Sequence, residues 1–172
     1  MKKVLKFIGG LIFIILVLPV FLTSKFSMSR AIEIDAPIAT VFESLTNLSE
    51  YEKWNPFPEG DPTNTTSISG TGVGSFLVWK GEKTGEGKMT ITTIVPQQKI
   101  GVKMDFYRPM SGEGVVHWIT NAKSEAKTEM IWTFDQELTY FTRYFGLFME
   151  PMMGKHFEKG LANFKNRMEA SK

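Results

Sequence analysis

Apolar residues recur along this chain with two different periods, and one stretch has no period at all. Phe7 to Leu22 is the aperiodic stretch: sixteen uncharged, overwhelmingly apolar positions with no polar stripe. From Ser27 onward the period is two. In "SMSRAIEIDAP", Ile32 and Ile34 share one face, which predicts a strand ended by Pro37. "APIATVFESLTN" then places Val41, Phe42 and Leu45 at helical spacing, with Pro37 in the first turn, and "LSEYEKW" predicts a second short helix before Pro56. Residues 58–66, "PEGDPTNTT", are an open polar loop.

From about Thr66 to Leu138 the chain reads as a succession of short strands: "SFLVW", "KMTITTIV" ending at Pro96, "KIGVKMDFY", "GVVHWIT" and "TEMIWTF". Ile100, Val102, Met104 and Phe106 fall on one face of the third; Met130, Trp132 and Phe134 fall on one face of the last. The turns between them contain Lys80 to Gly85 and "NAKSEAK", so the segments form an antiparallel meander. The period then changes: Met153, Phe157, Leu161, Phe164 and Met168 make the stripe of a long helix, with Gly160 beside it where a close approach is possible. The segment before that helix, "LTYFTRYFGLFMEP", is aromatic and partly helical, with a break expected near Pro151.

The class is α+β. The simplest way to bury one apolar helix stripe and one apolar sheet face is to lay the helix across a strongly curved sheet. Met104, Phe106, Met130, Trp132, Phe134 and the helix stripe are then expected to converge on one interior. A curved sheet around a helix can leave a cavity between them; a fully packed core is the alternative. Met153 and Phe157, early in the helix, are expected to line such a cavity, and Leu161 and Phe164 to be packed.

Charge alters the reading of the first segment. The chain carries a net +2, but residues 1–23 hold Lys2, Lys3 and Lys6 and no acid; taking those three from the 20 basic groups leaves 17 against 18 acidic, a net −1. The basic excess therefore belongs to the N-terminus, and no Lys/Arg face suited to nucleic acid remains. With Val4, Leu5 and a snorkelling Lys6, the apolar run reaches nineteen residues, about 28 Å of helix against a hydrocarbon core of about 30 Å. A cleaved signal peptide is the competitor, but "LTSKFSMS" follows without an A-x-A-like site. The expectation is an uncleaved transmembrane anchor over residues 1–24, followed by a domain over 25–172. Lys2, Lys3, Lys6 and the terminal amine place the N-terminus in the cytoplasm and the domain outside it.

The stretch "IDAPIATVFESLTNLSEYEKWNPF", the glycine-flanked "GTGVGSFLVW" and the helix "FEKGLANFKNRME" together resemble the polyketide cyclase/dehydrase-like branch of the START/Bet v 1 superfamily, the SRPBCC proteins. The resemblance covers about residues 29–170. It implies a helix-grip fold, a curved antiparallel sheet wrapped around a long C-terminal helix, with an apolar cavity beneath that helix. It also implies that Trp54 and Phe57 plug one end of the cavity or core while Asn55-Pro56 turns the chain into the sheet. Asn bonding local backbone and Pro fixing φ suit that turn.

Candidate chemistry is sparse. Cysteine is absent, which excludes disulfides, thiolate metal sites and a Cys nucleophile, and His117 and His156 are the two histidines. His117 sits on a strand whose inward face the alternation leaves open, and His156 sits beside Phe157 on the last helix. Asp105 and Arg108 bracket Tyr107 near a strand end, where an ion pair or a polar ligand group are both compatible. No Ser-His-Asp arrangement, carboxylate pair or metal-ligand spacing stands out. "GTGVGS" is not a phosphate loop, since no helix opens there. No cofactor is expected.

The sequence thus leads to a membrane-anchored module that binds a hydrophobic small molecule or lipid, with Trp54, Met104, Phe106, Trp118, Trp132, Met153 and Phe157 as ligand-contact candidates. The alternatives are a cyclase- or hydrolase-like enzyme using a pocket acid or base, and a protein-interaction module. A continuous apolar cavity favours the first, a buried titratable pair the second, and a filled core with an exposed apolar patch the third.

Overall fold

The computed structural model describes residues 2–170. It opens with α1 (Lys2–Val17), sixteen residues, and a 3₁₀ turn over Leu18–Val20. The expected helix to Leu22 is therefore interrupted. Pro19 has no N–H, its ring crowds the carbonyl four residues back, and it disfavours the α conformation in the residue before it. No described helix is long and apolar enough to cross a membrane. The apolar side chains Val4, Phe7, Ile8 and Leu11 to Leu16 are exposed, and none joins the core.

β1 (Lys25–Ile34) follows, then α2 (Ile38–Leu45) and α3 (Leu48–Trp54). Pro37 is the N-cap of α2; Asn47 caps α3 through its side-chain oxygen, which accepts from the Ser49 amide at 2.9 Å. Six strands complete the sheet: β2 (Thr65–Ser69), β3 (Phe76–Gly81), β4 (Gly85–Val95), β5 (Lys99–Arg108), β6 (Gly112–Ser124) and β7 (Lys127–Glu137). α4 (Arg143–Ala170) closes the chain. The expected meander is present and antiparallel throughout, in the order β1-β7-β6-β5-β4-β3-β2. The first strand thus pairs with the last. β2 emerges from the end of the expected polar loop: its sequence, TTSIS, has one apolar residue, and its pattern is mostly exposed.

α4 is continuous through Pro151, where a break was expected. Its neighbouring turns are held to the sheet by Arg30 of β1, whose guanidinium bonds Glu150 at 2.7 Å and Glu158 at 3.0 Å, one on each side of Gly154. Proline removes one hydrogen bond from a helix, here the one to the Leu147 carbonyl, and Arg30 ties the turns that follow to the sheet. Further along, a Cβ on Gly160 would stand 2.7 Å from the Trp132 ring and 3.0 Å from Pro56 Cδ. The missing side chain lets helix and sheet meet there.

Alternation sorts the sheet. Val116, Trp118, Met130, Trp132 and Phe134 point into the concave face and are buried, together with Ile100 and Val102. The helix stripe Phe157, Leu161, Phe164 and Met168 faces them. Burial of one such large side chain stabilises by about 1.5–3 kcal/mol, so these positions specify the packing of α4 on the sheet.

The register gives the sheet two distinct ends. At one end lie Lys25 opposite Glu137, Gly112 opposite Phe106, and the tight turn between Gly81 and Gly85. At the other, Ile34 pairs with Thr128. This far end is plugged: Val41, Phe42 and Leu45 of α2 are buried there, and the Thr128 hydroxyl donates to the Ala36 carbonyl at 2.8 Å.

Candidate functional site

A cavity of about 380 Å³ lies between α4 and the concave face, toward the end of the sheet where β1 begins. Its sheet wall comprises Leu77, Met89, Met104, Phe106, Val116 and Phe134; Trp118 and Tyr51 lie deeper; Met153 and Phe157 form the helix side. The wall is stiff because aromatic rings brace one another. Trp132 stacks on Phe157 at 4.2 Å, Phe106 meets Phe134 at 6.3 Å, and Trp79 meets Phe106 edge-on at 5.9 Å. Gly87 makes room for the Trp79 ring, which a Cβ would meet at 2.3 Å.

Six of the seven contact candidates border the cavity: Met104, Phe106, Trp118, Trp132, Met153 and Phe157. Trp54 does not. It closes α3 with its ring in the core behind the wall, 5.7 Å from Trp118, 5.3 Å from Trp132 and 5.1 Å from Phe164. Leu161 and Phe164 are buried away from the cavity. Phe57 is at the rim, stacked on His156 at 5.2 Å and edge-on to Phe157. The turn that carries it has the expected chemistry: Asn55 Oδ1 accepts from the Phe57 amide at 3.2 Å.

The sequence reading passed over two polar residues. Tyr51 is buried, borders the cavity and makes no side-chain hydrogen bond to any described residue. Burial pushes its hydroxyl pKa upward, so it stays protonated and can donate. Asp61 is buried in the rim. Its Oδ1 accepts from the Thr63 hydroxyl (2.6 Å) and amide (3.1 Å); its Oδ2 accepts from the amides of Lys83 (2.9 Å) and Thr84 (2.8 Å) and from the Thr84 hydroxyl (3.0 Å). These donors, the Thr63 hydroxyl foremost, hold the carboxyl well below the usual carboxylate range. Asp61 therefore latches the loop before β2 to the β3–β4 turn. An Asp in a polar loop has no periodicity to betray it. Tyr51 lies on α3 among charged residues, and its burial depends on the distant strand that covers it.

The remaining candidates lie elsewhere. His117 is on the convex face of β6, since Val116 and Trp118 take the inward one; burial and the Lys99 charge lower its pKa. Arg108 pairs with Glu86 at 2.7 Å and Asp105 with Lys103 at 2.9 Å, so these two charges do not pair with each other. Glu59 at the rim is ion-paired with Lys159 of α4. Among the described residues, no group of three or more His, Asp or Glu side chains is placed to hold a metal ion.

Residues 25–169 match the family model described as polyketide cyclase / dehydrase and lipid transport. No curated protein matches the sequence. Among solved structures, the fold is similar to the Zhui aromatase/cyclase from Streptomyces sp. R1128, at 15% identity and a TM-score of 0.60 over 84% of this chain and 94% of that one. It is also similar to norcoclaurine synthase from Thalictrum flavum in complex with dopamine and hydroxybenzaldehyde (12% identity, TM-score 0.63, 90% and 91% covered). A third similar structure is a protein from Arthrobacter aurescens (18% identity, TM-score 0.59, 82% and 87% covered). At these identities the likeness is one of fold.

Proposed function

Since the chain belongs to the polyketide cyclase / dehydrase and lipid transport family, we propose that it is a binding protein for a hydrophobic small molecule or lipid. The ligand carries one acceptor that meets the Tyr51 hydroxyl. The observation that carries this reading is the cavity itself: about 380 Å³, walled by apolar side chains, bordered among the described residues by the unpartnered Tyr51 hydroxyl and by Trp118 and Trp132, whose ring N–H groups are also unpartnered. Such a volume and composition suit a small ligand. Binding is favoured over acid–base chemistry because the rim carboxylates are engaged, Asp61 by five hydrogen bonds within its loop and turn and Glu59 by Lys159.

The reading includes anchorage in a membrane. From Val4, α1 and its 3₁₀ turn extend about 27 Å, from fourteen residues at about 1.5 Å and three at about 2.0 Å, similar to the hydrocarbon core. Exposure of nearly every large apolar side chain of α1 supports lipid as its solvent. The lysine excess in the first turns of α1, at Lys2, Lys3 and Lys6, supports a cytoplasmic N-terminus and an extracytoplasmic domain.

The test is a titration of the detergent-extracted full chain with an apolar fluorescent probe, alongside mass spectrometry of copurifying small molecules. Met104→Trp should narrow the cavity, weaken probe uptake and leave the unfolding transition in place. Equal uptake by parent and variant would refute the binding reading.

A further inference from the structure

α4 begins outside the core. Phe141, Phe145, Leu147, Phe148 and Met152 are exposed over its first turns and the segment leading into them. This apolar patch is tied directly to α1. Pro19 cannot supply an amide to the carbonyl four residues earlier, that of Ile15; the Tyr144 hydroxyl supplies the donor instead. The Tyr140 hydroxyl donates to the Leu16 carbonyl, and Arg143 Nη1 donates to the Pro19 carbonyl at 2.8 Å. Unsatisfied carbonyls are costly in hydrocarbon, and tyrosine favours the membrane–water boundary. At its other end the patch reaches the cavity, because Met152 is both exposed and part of the rim beside Met153 and His156.

We infer that residues 140–152 lie in the interfacial layer of the bilayer that holds α1, so that the cavity mouth opens onto the membrane and a bilayer-resident amphiphile enters it from lipid rather than from water. This rests on the anchored reading above. The occupant of the patch is lipid because the patch continues the exposed apolar surface of α1, and because the nearby acid Glu150 is ion-paired with Arg30, which it shares with Glu158. The sheet register supports the same geometry: β1 starts beside α1, and the β6–β7 turn stands at the opposite end, about 30 Å away over ten residues.

The absence of native cysteine allows single-site labelling. Phe13→Cys, Phe141→Cys, Phe148→Cys and Glu125→Cys variants of the full chain carry an environment-sensitive fluorophore in phosphatidylcholine vesicles, with and without quencher-bearing acyl chains. The expected result is at least two-fold quenching at positions 13, 141 and 148 and none at 125. Quenching at 13 without quenching at 141 and 148 overturns the inference while the anchor stands. No quenching at 13 overturns both. Label-to-label cross-linking at 148 without lipid quenching shows a second copy of the chain on the patch and also overturns it. The doubly substituted Phe145→Ser/Phe148→Ser chain supplies the functional readout. Its uptake of a pyrene-labelled fatty acid from vesicles should slow at least ten-fold, while equilibrium binding of 1-anilinonaphthalene-8-sulfonate from water is unchanged; equal vesicle uptake rates overturn the inference.

Discussion

Tyr51 and Asp61 are the two polar side chains on which the pocket turns, and they act in opposite ways. Tyr51 holds a hydroxyl in reserve, whereas every oxygen of Asp61 is already engaged. For a ligand with a hydrogen-bond acceptor, Tyr51→Phe should weaken binding by roughly three- to ten-fold, the equivalent of about 0.5–1.5 kcal/mol; isothermal titration against an acceptor-bearing and an acceptor-free probe distinguishes this from a change of shape. Asp61 predicts a pH dependence. Its pKa is depressed in the fold, so its stabilising contribution is complete above the ordinary carboxylate pKa of about 3.9 and is lost as pH falls toward the folded value. The parent should lose melting temperature steeply below about pH 4, and Asp61→Asn should start lower at neutral pH with a shallower acid limb. Thermal melts across pH check both. Neither residue was visible to a reading based on apolar period. Trp54 was visible, as an aromatic beside an Asn-Pro turn, but sequence alone could not separate a ring behind the wall from a ring in it: Trp54 and Trp118 differ only in which side of the aromatic cluster meets the cavity.

The elements were more legible than the residues because their periods are regular. Ile100 to Phe106 and Met130 to Phe134 alternate cleanly, and both strands are present with those faces inward. Two elements departed from expectation. β2 has no apolar alternation because its face is mostly exposed. α4 runs through Pro151, and Arg30 ties the neighbouring turns, at Glu150 and Glu158, to β1, a contact between residues more than a hundred positions apart. Gly160 was legible as a point of close approach, and it carries an element-scale prediction. Gly160→Ala gains about 1 kcal/mol of helix propensity but forces a methyl group against Trp132 and Pro56. Trp132 cannot yield, being held between Trp54 and Phe157. Overpacking of this kind costs about 1–3 kcal/mol, so the net effect should be destabilising; chemical denaturation of parent and variant gives the sign. A stabilised variant would show that α4 rides more loosely on the sheet than the contact implies.

At the scale of the whole molecule, one end of the sheet is plugged by α2 and the other holds α1, the start of α4 and the cavity. No described side chain of α1 joins the core, so a chain beginning at Ser24 should fold, take up the apolar probe and remain in the supernatant, while the full chain sediments with vesicles. Circular dichroism and flotation on a density gradient test the two halves of that statement. The pairing of β1 with β7 also has a kinetic side. Lys25 meets Glu137 across more than a hundred intervening residues, and contacts so distant in sequence slow folding because a long loop must close before they form. During synthesis, β1 has no partner until nearly the whole domain has emerged. Its amides should therefore be among the last to acquire protection in pulsed hydrogen exchange, after those of the β4–β5 hairpin, and until then the nascent chain presents an open sheet edge to whatever chaperone accompanies it.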